Sequence, residues 1–301
     1  FMKKRILSAV IAIFVIVCLS VSALAEEETP TEYNNMVSLL MEGETGTVLQ
    51  HNGGYEKVAQ GTLNKLMTVL LTAEEIESGG LSINDVVTVS SNANAQTGAV
   101  VWLMPGEEIT IEELLKSVII GNANDASVAL AEIVGGNEEE FTGMMNARAF
   151  ELGMRNTVFK NPAGYDCAGQ YSTPYDMALL CRELLKHEFL YKIMNTWIDR
   201  VRGGQTEIVN ENRLVRTYEG VIGLKASHTE ASGYCLALAA ERNGKLYIAI
   251  VMGGSDEDGR FAVGKELLSN GFSMYKVTIP SFSGEFIKPI SCLLYTSDAA
   301  D

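Results

Sequence analysis

Residues 61–80 read GTLNKLMTVLLTAEEIESGG, an apolar stretch closed by a glycine pair. Leu63, Leu66, Met67, Leu70, Leu71 and Ile76 recur at helical spacing, and Gly79-Gly80 stops the pattern. The spacing predicts a long, largely buried helix that begins near Thr62. Thr62 and Lys65 stand three apart, so a hydroxyl and an amine share one face at a helix N-terminus, where the dipole favours developing negative charge. A desolvated lysine has a lowered pKa and can act as base toward such a hydroxyl. Taken alone the pair is ambiguous, because threonine is also a common N-cap.

Two further segments carry unusual side chains. Gly121-Asn-Ala-Asn-Asp-Ala126 opens a helix over Asn124–Val134, stopped by Gly135-Gly136. Gly223-Leu-Lys-Ala-Ser-His-Thr229 leads into strand-like sequence. There, Tyr234–Ala240 and Lys245–Met252 flank Arg242-Asn-Gly244, a hairpin with an Asn-Gly turn. Val37–Met41 and Thr47–Leu49 read as short strands around the turn Glu42–Gly46. Helices are expected over Ile111–Ile120, residues 138–152, Pro174–Lys186 behind a Thr173 N-cap, and from Gly259-Arg-Phe261 to about Tyr275. Strands, then helices, then strands and a helix describe one α+β body.

Thr62 to Lys65, Asn122 to Asn124 and Lys225 to Ser227 resemble, in order and spacing, the Ser-x-x-Lys, Ser-x-Asn and Lys-Thr-Gly motifs of penicillin-binding proteins. The chain is most similar to the low-molecular-mass D-alanyl-D-alanine carboxypeptidases over about residues 30–278. Lys65-Leu-Met-Thr68, Asn124–Glu132, Phe159-Lys-Asn-Pro-Ala-Gly164, Tyr175-Asp-Met-Ala178, His228-Thr229 with Gly233-Tyr234, and Gly259-Arg-Phe261 support the resemblance. It implies the penicillin-binding, β-lactamase-like transpeptidase fold: an antiparallel sheet flanked by helices plus a mostly helical lobe, with the site between them.

It implies a chemistry as well. A hydroxyl at position 62 attacks the carbonyl between two D-alanines at the end of a peptidoglycan stem peptide, and water later hydrolyses the acyl-enzyme. Lys65 would be the base, position 122 the proton relay, and Asn124 a substrate-orienting group. Lys225, Ala226, Ser227 and His228 would line the substrate side. β-Lactams would acylate the same hydroxyl. Neither metal nor organic cofactor is implied.

This chain departs from the pattern at four positions. Thr62 stands for the nucleophilic serine, Asn122 for the relay serine, and Ala226-Ser227 for Thr-Gly. The threonine methyl restricts χ1 and crowds the attack path. An amide at 122 donates hydrogen bonds but shuttles no proton. Ala226 offers no hydroxyl to a substrate carboxylate, and Ser227 adds a side chain where glycine permits close approach. Two readings stay open: a slow carboxypeptidase with a threonine nucleophile, or a non-catalytic relative that binds peptidoglycan or a partner protein. A β-lactamase-like hydrolase fits the secondary motifs less well.

The chain's 301 residues balance 23 Lys+Arg against 38 Asp+Glu, a net charge of −15 that argues against nucleic-acid binding. No His-Glu-x-x-His, phosphate loop or Gly-x-Gly-x-x-Gly occurs, and His51 and His187 read as surface residues. With Cys18 in the leader-like run and Cys292 in the tail, Cys167, Cys181 and Cys235 remain, an odd and scattered set that is not a disulfide framework and reads as small buried hydrophobes. Residues 1–25 join a basic head, an apolar run and Ala23-Leu-Ala25, the layout of a cleaved signal peptide, so the product is expected outside the cytoplasmic membrane. Residues 26–278 form the expected carboxypeptidase-like domain. Residues 279–291 read as the start of a truncated C-terminal region. Residues 292–301 resemble the in-frame translation of a sequencing adapter. Family members usually continue into a small β-rich domain and an amphipathic membrane-anchoring helix.

Overall fold

The computed structural model describes residues 36–275; the expected leader, the 279–291 segment and the 292–301 tail lie outside them. The described chain opens with β1 (Val37–Glu42) and β2 (Val48–Asn52), joined by a turn that the Glu42 carboxylate pins by accepting the N–H groups of Glu44 and Thr45. A 3₁₀ turn over Gly61–Asn64 runs directly into helix α1 (Lys65–Ser78). Gly79 ends α1 in the left-handed conformation (φ 83°), as the Gly-Gly pair predicted. Every residue of α1 from Lys65 to Ala73 is buried, so it is a core helix and has no polar face over that span.

The ribbon of β3 (Val86–Thr88) and β4 (Glu108–Thr110) encloses the single-turn α2 (Ser91–Asn94). A reciprocal cap between Thr110 and Glu113 starts α3 (Ile111–Ile119). Helices α4 (Asn124–Gly135) and α5 (Glu138–Glu151) follow, the latter capped by Asn137. Thr173 caps α6 (Pro174–Leu184) by accepting the Asp176 N–H, with proline at the first helical position. A single turn, α7 (Tyr191–Met194), precedes a ribbon of β5 (Ile198–Val201) and β6 (Thr206–Val209). The long strands β7 (Val221–Thr229), β8 (Gly233–Arg242) and β9 (Lys245–Gly254) lead to α8 (Glu257–Met274). Among the described residues no helix is long and apolar enough to cross a membrane.

The main sheet is antiparallel with order β2-β1-β9-β8-β7. The expected α+β architecture is thus the one observed. Asn243 (φ 53°) and Gly244 (φ 70°) make the β8–β9 turn, the pair of left-handed residues that a two-residue hairpin requires. Alternate residues of β9 enter two different apolar clusters. Ile248, Ile250 and Met252 join the helical side, with Leu66, Leu70, Val118 and Leu180. Tyr247, Ala249 and Val251 pack with Leu236, Phe261 and Leu268 beneath α8. Because both faces are covered, these strands read as unbroken apolar runs with no polar alternation. β7 lies at the sheet edge, beside the Gly61–Asn64 turn, and this neighbourhood assembles the site.

Several sequence expectations change. The first helix begins as a 3₁₀ turn. α8 starts two residues earlier than Gly259, because the Asp256 carboxylate accepts the Gly259 N–H. The β5–β6 ribbon was not anticipated, although Gly203-Gly204 separates its short alternating strands. His187 is 6% exposed, where a surface residue was expected: it follows α6, stands edge-on to Phe189 and lies 3.0 Å from a Glu77 carboxylate oxygen. Cys181 and Cys235 are buried as expected, but Cys167 is exposed.

Candidate active site

Gly61 (φ 51°) turns the chain so that Thr62 faces β7 at the head of α1. The approach is close. A Cβ on Gly61 would lie 2.3 Å from Ser232 Oγ, and one on Gly164 (φ 78°) would lie 2.7 Å from the Gly61 carbonyl oxygen. The Asn161–Gly164 turn therefore packs against the Thr62 backbone only because position 164 has no side chain. Asn161 holds that turn by accepting the Gly164 and Tyr165 N–H groups.

Lys65 is fully buried under this turn. Its Nζ donates to Asn124 Oδ1 at 2.7 Å and to the Ala163 carbonyl oxygen. Burial first, and the Lys225 charge second, hold its pKa well below the ordinary lysine range; Glu211 and Asp125 pull the other way. With two acceptors holding the nitrogen in place, a lowered pKa is the direction a general base needs.

Asn124 is the first residue of α4 and is fixed on both sides. Besides accepting from Lys65, its Nδ2 donates to the Thr97 carbonyl oxygen at 2.6 Å, and its backbone N–H donates to Ala99 at 2.7 Å. Its neighbour Asp125 accepts the N–H groups of Val101 and Leu103, so one helix N-terminus organises both the amine and the 97–103 loop. Asn122, in the loop between α3 and α4, has φ 55°. Its Nδ2 donates to Glu211 Oε1 at 3.3 Å, and its buried Oδ1 has no partner among the described residues.

Lys225 projects from β7 with its Nζ donating to the Val118 carbonyl oxygen at 3.1 Å. Burial pushes its pKa down to about 8, against the raising influence of Glu211. Ser227, two residues on, shares that strand face. Its Oγ accepts both the Thr62 backbone N–H and the Thr62 hydroxyl, each at 2.8 Å. The Thr62 hydroxyl is thus directed at β7, while the Lys65 donors go to α4 and the 161–164 turn.

The remaining residues singled out from sequence lie apart from this cluster. Ala226 points through the opposite face of β7 into the apolar cluster under α8. His228 is exposed and stacks on Tyr234, its cross-strand partner, with ring centroids 4.1 Å apart. Sequence reading passed over Glu211, whose carboxylate faces Asn122 and is electrostatically felt by Lys65 and Lys225. It also passed over the positioning role of Arg260, which donates to the Ser227 carbonyl oxygen at 2.7 Å. Glu211 had no motif to mark it, whereas Arg260 sat in one of the secondary matches.

A profile of the D-alanyl-D-alanine carboxypeptidase family, peptidase S11, matches residues 24–256. The chain is 38% identical over 280 residues to the D-alanyl-D-alanine carboxypeptidase DacF of Bacillus subtilis, covering 91% of this chain and 72% of the relative. It is 32% identical over 253 residues to DacC of Escherichia coli, covering 80% of this chain and 62% of that one. Among solved structures it resembles penicillin-binding protein 6B of Escherichia coli, with TM-score 0.75 and 28% identity over 83% of this chain and 80% of that one. It also resembles penicillin-binding protein D2 of Listeria monocytogenes in a cefotaxime-bound form, with TM-score 0.72 and 26% identity over 79% of this chain and 96% of that one. On the extent of these matches and the fold they share, the chain belongs to the D-alanyl-D-alanine carboxypeptidase family of low-molecular-mass penicillin-binding proteins.

Proposed function

We propose that this chain removes the terminal D-alanine of peptidoglycan stem peptides through an acyl-enzyme on Thr62, at a lower rate than a serine-bearing site would give. The supporting observation is the Lys65 amine: buried, donating to Asn124 and Ala163, with burial holding its pKa well below the ordinary lysine range, one helical turn from Thr62. In the proposed step the Thr62 oxygen attacks the carbonyl between the two D-alanines as its proton passes to Lys65. The carbon–nitrogen bond then breaks, and D-alanine leaves with a proton. Water hydrolyses the ester and restores the hydroxyl. Lys225 supplies positive charge toward the substrate carboxylate. β-Lactams would acylate Thr62 in the same way, and the leader-like residues 1–25 fit action on the outer side of the cytoplasmic membrane.

The reduced rate follows from two features. The threonine methyl narrows the attack path. Asn122 occupies the relay position with a group that cannot pass a proton, and general acid–base steps contribute about 10²–10⁴-fold. D-alanine release from a pentapeptide, with Lys65→Ala as background, tests the proposal. Slow release that the control abolishes is the expected result; turnover within tenfold of about 10 s⁻¹ would overturn the reduced rate.

One observation favours a second reading, in which the groove binds peptidoglycan without cleaving it: the Thr62 hydroxyl donates to Ser227 instead of Lys65. Labelling by a fluorescent penicillin separates the two, since only a reactive Thr62 retains the dye through denaturing electrophoresis.

A further inference from the structure

Ser227 is fully buried, and its single hydroxyl oxygen accepts two hydrogen bonds from one residue, the backbone N–H and the hydroxyl of Thr62, each at 2.8 Å. Both lone pairs of that oxygen are therefore committed. Its position is imposed from several sides. The β7–β8 register pairs Ser227 with Cys235. Arg260 donates to the Ser227 carbonyl oxygen at 2.7 Å. Gly61 closes the space on the other side, where an added Cβ would come within 3.1 Å of Ser227 Oγ.

Acyl-transfer sites stabilise the developing oxyanion with backbone N–H groups, and the N–H of the nucleophilic residue is a common donor. Here the donor at Thr62 is already occupied by a side-chain oxygen. The geometry points to Ser227 as an internal plug of the acyl-transfer site: its hydroxyl sits where the substrate's carbonyl oxygen would be received, and it also draws the Thr62 hydroxyl proton away from Lys65. The inference rests on the reading of Thr62 as the acylated residue. It assigns a large share of the slow chemistry to one removable hydroxyl on the opposite strand. Substrate or β-lactam must displace Ser227 by breaking both bonds before Thr62 can react. Ser227 is thus a positioning residue that acts through Thr62.

The loss of one oxyanion donor costs about 10²–10³-fold in turnover, which bounds what unplugging can return. The test uses the full chain carrying Thr62→Ser and Asn122→Ser, so that other obstacles are common to every arm. This background is compared with versions that add Ser227→Gly or Ser227→Ala, and the rate of labelling by a fluorescent penicillin is read, with melting temperature as a check on folding. Both additions are expected to label at least about tenfold faster than the background that keeps Ser227. A gain in rate is not what loss of a merely structural contact would give. If the background labels as fast as both additions, the plug is wrong while the acyl-enzyme reading stands. If Ser227→Gly accelerates labelling and Ser227→Ala does not, the Cβ is the obstacle, and the hydroxyl assignment is overturned. If the folded Ser227→Gly version takes no label, the reading of position 62 as the acylated residue fails and the plug falls with it.

Discussion

The Lys65 Nζ donates to Asn124 Oδ1 at 2.7 Å, joining the heads of two helices whose sequence positions lie 59 residues apart. The Asn124 amide has its other end on the Thr97 carbonyl oxygen, so it cannot flip without losing both bonds. This places the amine within a fixed frame and sets which of its hydrogens are occupied.

Asn124→Ala removes the acceptor of a buried amine and the donor of a loop carbonyl together. The expected cost is about 1–3 kcal/mol for each group left unpaired. At roughly 2–4 °C per kcal/mol for a body of this size, melting should fall by several degrees. A melting temperature unchanged within a degree would mean that water replaces both bonds freely. Asn124→Asp keeps the shape but adds a negative charge, which favours the protonated amine. Penicillin labelling by that variant should begin at higher pH than in the parent.

Lys225 links stability to pH. Its folded pKa of about 8 lies below the ordinary value of 10.5, so between these the unfolded chain binds more protons and stability rises with pH. Below about pH 8 both states are protonated and the full burial penalty applies, roughly 3.4 kcal/mol. Lys225→Met should therefore be more stable than the parent at pH 7, and that advantage should vanish by about pH 10.5. Urea unfolding of both proteins across this range measures it, and a pH-independent difference would contradict the assignment.

Asp125 is buried and accepts the N–H groups of Val101, Leu103 and Ala126. Asp125→Ala leaves the two loop donors without a partner, and charge-assisted bonds of this kind are worth about 1.5–3 kcal/mol each. A melting decrease of about 5 °C or more is expected, together with faster hydrogen exchange at Val101 and Leu103. Exchange that is unaltered at those amides would show that Asp125 is not what holds the loop.

Gly164→Ala tests the close approach behind the nucleophile. The new Cβ would meet the Gly61 carbonyl oxygen at 2.7 Å and Thr62 Cα at 2.9 Å, in backbone that already has φ 78°. Both contacts are with backbone, so relief requires the Gly61–Asn64 turn to move. Misplacement of a reacting group by about 1 Å can cost 10²-fold. Labelling at Thr62 should drop at least tenfold while the sheet, read by far-ultraviolet circular dichroism, persists.

Much of this was legible in local sequence. The buried α1, the Gly79 cap, the Thr173-Pro174 helix start and the Asn243-Gly244 hairpin each follow from side-chain periodicity or turn chemistry, which act over a few residues. The three motif segments were legible through their resemblance to the penicillin-binding protein pattern, and the structure brings Thr62, Lys65, Asn122, Asn124, Lys225 and Ser227 into one neighbourhood. What the tertiary structure alone decided is where side chains on that frame point. Thr62 and Ser227 are 165 residues apart, and only the seating of edge strand β7 against the Gly61–Asn64 turn makes their hydroxyls meet. The strand's alternation sends Ala226 into the cluster under α8, while packing between distant elements buries His187 and leaves Cys167 exposed. Glu211 enters the site from a loop after β6 with no motif of its own, because electrostatic proximity depends on distance in space, which a linear pattern does not record.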